Sequence, residues 1–131
     1  MGGKRINCGT FSGKDKSGSP LFAVLKALQD PPTDVVGAIR GAFRTQDYAL
    51  ISESDARLLL PSLIAYRTHL IKEIGHDDFG EEIVAEEVAG MDPSEAREGA
   101  SRGWRLMCTD DLISACNTSL LEHQPVLILP G

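Results

Sequence analysis

The chain has 131 residues, close to the common size of one domain, and its 42% hydrophobic and 24% charged content is ordinary globular usage that excludes wholesale disorder. Against 13 Lys and Arg stand 19 Asp and Glu, a formal net charge of −6, which weighs against a nucleic acid held through its phosphates. No run approaches the roughly 20 apolar residues of a membrane span, and three cysteines (Cys8, Cys108, Cys116) are too few and too odd for a disulfide framework, so the expected setting is the cytoplasm without membrane attachment.

In chain order, the first 18 residues carry Gly2, Gly3, Gly9, Gly13, Gly18 and four basic residues but few apolar ones. Such a stretch buries little and keeps high backbone entropy, so residues 1–18 read as a flexible or partner-ordered arm, and 19–131 as one helical domain. Ser19-Pro20 reads as a capped helix start ahead of Leu21, Phe22, Val24, Leu25 and Leu28, closed by Asp30-Pro31-Pro32. Thr33 or Asp34 then caps a second helix with Val35, Val36, Ile39, Ala42 and Phe43 on one face. Gly37 and Gly41 mark either a close helix contact or a marginal helix.

The run Tyr48–Ile51 reads as a strand or a tight connection, and Ser52-Glu53-Ser54-Asp55 as a variant capping box. After it Leu59, Leu63, Tyr66, Leu70 and Ile74 predict the central helix, with a kink or a restart at Pro61 and a left-handed stop at Gly75. Asp77 or Asp78 caps a fourth helix whose Glu81, Glu82, Glu86 and Glu87 are expected to form a solvated face. Asp92-Pro93-Ser94-Glu95 is the clearest helix start, continuing through Ala96, Ala100, Gly103, Trp104 and Met107; a last helix is expected to begin from Thr109, Asp110 or Asp111. Pro125–Pro130 reads as an extended segment that pairs with residues 48–51. The predicted fold class is mainly α, a compact bundle of five to six short helices with at most a minor extended pairing.

Few residue patterns point to chemistry. Gly9–Asp15 has only three residues between its glycines and an aspartate after Lys14, which rejects a phosphate-binding loop. Glu73-Ile74-Gly75-His76 has the Glu-x-x-His spacing of di-iron helices but no second copy. His69, Glu73 and His76 therefore read as an exposed helix end, with a zinc or iron site as the alternative. Cys108 and Cys116 sit in apolar-periodic stretches and read as core, whereas Cys8 is expected to be exposed. No catalytic residue, cofactor site or metal site is assigned. Trp104 reads as core, but with Arg97, Arg102 and Arg105 around it this cluster supplies the best candidates for contacting a partner, since Trp and Arg dominate interface hot spots. The expectation is a non-enzymatic protein-interaction module: a small acidic adaptor, inhibitor or assembly subunit that binds another protein or itself. A small metal-dependent or cysteine-based enzyme and a helix-turn-helix DNA binder are the alternatives.

Overall fold

Alternation along the chain ends builds the sheet. In β1 (Lys4–Cys8) Ile6 and Cys8 point into the core, in β4 (Val126–Pro130) Val126 and Ile128 do, and in β3 (Ala49–Ile51) Ala49 and Ile51 do. Together with the short β2 (Phe11–Ser12) they form a four-stranded antiparallel sheet of order β2-β1-β4-β3. The expected pairing of 48–51 with the C-terminal segment is present, in the register Ala49↔Ile128, Leu50↔Leu127 and Ile51↔Val126. The computed structural model describes residues 3–131. It is mainly helical: 63% of the described residues lie in six helices and the wide helical turn over Ala96–Ala100.

The glycine-rich segment 1–18, expected to be a flexible or partner-ordered arm, instead supplies two strands in its described part, with Arg5 opposite Leu129 and Asn7 opposite Leu127, while residues 1–2 lie outside the described residues. Only two core residues, Ile6 and Cys8, were needed to anchor it, because β4 offers a free edge along its whole length. Beyond the hairpin the backbone is tied down at both ends. Gly13 donates to the Ile6 carbonyl at 2.8 Å, Gly18 donates to the Lys4 carbonyl at 2.9 Å, and Lys14 N–H donates to Asp111 at 2.7 Å.

The helices are α1 (Leu21–Ala27), α2 (Thr33–Thr45), α3 (Glu53–Ile74), α4 (Phe79–Val88), the single turn α5 (Pro93–Glu95) and α6 (Arg102–Glu122). Neither Ser19 nor Thr33 nor Asp34 caps as expected: Pro20 and Pro32 precede α1 and α2, and no side chain caps either helix. Ser52 does cap α3, accepting from Asp55 N at 3.2 Å, and Gly75 (φ 94°) ends it. Pro61 interrupts nothing. It lies on the exposed side of one continuous helix, where water can take up the carbonyl it leaves free. Leu59, Leu63 and Leu70 line the buried side of α3, which packs along α6.

The largest departure from expectation concerns α6. The helix capped by Asp92 does not run on through Trp104. After α5 the chain makes a wide turn over Ala96–Ala100, breaks at Gly99 (φ 130°) and restarts with Ser101 as a new cap, accepting from Trp104 N at 3.0 Å. Gly99 lies so close to Ala23 that a Cβ there would stand 2.3 Å from the alanine methyl. The break expected at 109–111 is absent because those polar side chains are used elsewhere. Thr109 donates back to the Arg105 carbonyl at 2.7 Å, Asp110 pairs with Arg67 at 2.5 Å, and buried Asp111 accepts from Lys14. α6 thus runs unbroken for 21 residues, packed along α3 and against β1 of the sheet, with Leu106, Leu112 and Cys116 buried.

α4 meets α6 at Gly103. A Cβ at this position would lie 2.7 Å from Ile83 Cγ1 and 3.0 Å from the Phe79 carbonyl. Gly37 and Gly41, by contrast, have nothing within 4 Å of a would-be Cβ, so they are not packing glycines. Gly103→Ala should therefore destabilise the fold by about 1–3 kcal/mol through overpacking. Gly37→Ala and Gly41→Ala should each stabilise it by roughly 0.5–1 kcal/mol. Urea unfolding midpoints measure both directions.

Candidate functional site

α4 carries four glutamates, and two of them, Glu82 and Glu86, turn inward where all four were expected to face solvent. Residues 79, 82, 83 and 86 share one helix face, so placing Phe79 and Ile83 against α6 takes Glu82 and Glu86 with them. Glu82 is 5% exposed, whereas Val84 is 58% and Val88 84% exposed. The glutamates point in because α6 begins there. Arg102, its first residue, donates to Glu82 Oε1 at 2.6 Å, His76 Nε2 lies 3.3 Å from Glu82 Oε2, and Gly103 N–H donates to Glu86 Oε1 at 3.1 Å. Unpaired amides at a helix start attract carboxylates, and the helix dipole adds to the attraction. The expectation of a solvated glutamate face holds for Glu81 and Glu87 and fails for Glu82 and Glu86.

Between α4, α5 and the start of α6 lies a groove of about 230 Å³. Ile83, Met91, Pro93, Ala96 and Trp104 give it apolar walls; Glu86, Glu87 and Arg97 bring charge. Trp104 is only half-buried, so it is a groove wall and not a core residue. Beside the groove, α4 presents Val84 and Val88 to solvent one turn apart.

The four partner-contact candidates separate. Arg97 and Trp104 line this groove. Arg102 is occupied by Glu82 and reaches back to the Glu73 carbonyl at 3.5 Å, joining α3, α4 and α6. Arg105 lies on the other side of α6, where Nη1 donates to Tyr66 Oη at 2.9 Å in a cleft of about 150 Å³ shared with Gln29, His69 and Glu73. Burial raises the Tyr66 phenol above its ordinary value, and the neighbouring guanidinium opposes that rise. Sequence reasoning missed Glu86, Ile83 and Met91. The four-residue step from Phe79 to Ile83 is the signal that could have found the first two.

His69 Nε2 lies 3.4 Å from Glu73 Oε2, but His76 turns away to Glu82. Among the described residues no three His, Cys, Asp or Glu come together as a metal would require. All three thiols are buried, including Cys8, which was expected to be exposed; as part of β1 it faces the core and donates to the Gln124 carbonyl at 3.5 Å. Burial pushes all three thiols up, Cys116 to about 12. Among the described residues no helix is long and apolar enough to cross a membrane. No protein-family model matches the chain, and no curated protein or solved structure does either.

Removing the Arg102 guanidinium leaves the buried Glu82 carboxylate with a histidine alone. Arg102→Ala should cost about 2 kcal/mol in urea unfolding, while Arg97→Ala should stay within about 0.5 kcal/mol. The thiols set an alkaline limit. The folded state holds their protons more tightly than the unfolded chain does, so this stabilisation is complete below the ordinary thiol value of 9.0 and is lost as pH rises towards about 12 for Cys116. The urea midpoint should fall across that window, with a shallower fall in Cys116→Ala.

Proposed function

We propose that this chain is a non-enzymatic protein-interaction module, a small acidic adaptor, inhibitor or assembly subunit, and that it binds its partner through α4 and the adjoining groove. The observation that carries the reading is the rotation of α4, which commits Glu82 and Glu86 to the fold and leaves Val84 and Val88 in water. Adjacent apolar side chains on one exposed helix turn, beside a groove walled by Trp104 and Met91, have the composition of an interface centre with a charged rim. In this reading Trp104 contacts the partner directly, and Arg97 stands at the rim of the contact. Arg102 holds the surface in shape through Glu82, and Arg105 lies outside it.

A charge of −6 favours a protein over a nucleic acid as partner, and three unpaired thiols suit the reducing cytoplasm. Affinity capture from native extract, with the tag at either end, should recover a stoichiometric, salt-resistant partner. The double substitution Val84→Ser/Val88→Ser should weaken that complex at least about tenfold, equivalent to roughly 1.4 kcal/mol. Because both side chains are exposed, its thermal midpoint should match the parent protein. Undiminished affinity in this variant, or no partner with either tag, overturns the reading.

A further inference from the structure

The groove beside α4 contains an unmatched charge. Glu86 Oε1 takes the Gly103 N–H, but Oε2 is buried and has no hydrogen-bond partner among the described residues. A buried carboxylate oxygen without a donor is costly, and the fold supplies none. Arg102 is committed to Glu82, and Arg97 at the groove donates Nε to the Pro93 carbonyl at 3.4 Å while forming no ion pair with a carboxylate among the described residues. At about 230 Å³ the groove is smaller than the roughly 300–1,000 Å³ of ordinary small-molecule sites, a size suited to one long side chain. Its walls combine what such a side chain would need: Ile83 and Met91 for a methylene stem, Trp104 for a cation, and the Glu86 carboxylate for the charged end, with Glu87 beside it.

We infer that the groove receives a lysine or arginine side chain of the partner protein, seated against Trp104 and neutralised by Glu86. This rests on the protein-interaction reading and names the partner's chemistry: a basic anchor next to an apolar patch that covers Val84 and Val88. Two glutamates against one arginine leave the groove net negative, which selects a cation over an anion.

Trp104 is the only tryptophan in the chain, so its fluorescence reports on this groove alone. The probes are N-acetyl-arginine amide and N-acetyl-lysine amide, with N-acetyl-norleucine amide as the uncharged control. Expected are a saturable fluorescence change with at least one basic probe, none with norleucine, and at least about tenfold weaker binding in Glu86→Gln, which keeps an acceptor for Gly103 N–H but loses the charge. Arg97→Ala, which removes the competing cation, should tighten basic-probe binding about threefold, and it keeps the test decisive if Glu86→Gln fails to fold. No saturable response, an equal response to norleucine, or weaker binding in Arg97→Ala overturns the inference. If the probes fail while Val84→Ser/Val88→Ser still disrupts a captured complex, the basic anchor falls and the interaction reading stands. Probe binding that depends on Glu86, in a protein whose valine variant loses no partner, leaves the cation site and removes the interaction reading. A dimer of the free chain that Glu86→Gln dissociates replaces the foreign partner by a second copy and overturns the inference as stated.

Discussion

The carboxylates of Glu82 and Glu86 meet the first turn of α6, and most of what distinguishes this molecule depends on that contact. The start of α6 presents the Arg102 guanidinium and free backbone amides, of which Ser101 satisfies one and Glu86 another. The Glu82 carboxylate is almost fully enclosed, yet it is shared by Arg102 and His76, so α3, α4 and α6 are tied at one point. With an arginine on one oxygen and a histidine on the other, the buried acid depends less on either partner than a single pair would, but it permits only one orientation of α4.

That orientation also needs space, which Gly103 supplies. With hydrogen in place of a side chain at the second residue of α6, Ile83 and the Phe79 carbonyl approach the helix backbone directly. Close approach brings Glu86 within reach of the Gly103 amide, so the glycine and the glutamate act as a pair. The break at Gly99 has the same purpose from the other side. Had the helix begun at Pro93 and run on, residues 99–103 would have carried intrahelical hydrogen bonds and left no free amides for the α4 carboxylates.

The parts of this arrangement that the sequence made legible follow from local rules. Spacing of three and four along Leu59, Leu63, Tyr66 and Leu70 placed α3, Gly75 stopped it, and proline-flanked Val126–Leu129 pairing with residues 49–51 was visible as a short extended pair. Tertiary competition decided the rest. Asp110 and Asp111 resemble caps, but Arg67 and the Lys14 amide claim them, and nothing local foretells partners 43 and 97 residues away. The N-terminal segment looked too glycine-rich to order until β4 supplied an edge for it. For the candidate site, the arginine–tryptophan cluster was visible as composition. Its division between two sides of α6 was not, because that depends on where α6 begins.

A helix that turns two of its acids inward must turn other residues outward, and in α4 these include Val84 and Val88 beside Glu81 and Glu87. A free-standing domain gains nothing from that exchange on hydrophobic grounds, since two valines stay hydrated while carboxylates are desolvated. The exchange becomes favourable once a partner covers the valines and a donor reaches Glu86 Oε2, because burial and charge pairing are then completed in one step. Glu86 and the two valines lie on different faces of α4, with Glu87 between them at the groove edge, so a partner that resolves both must span the groove and the outer face of the helix.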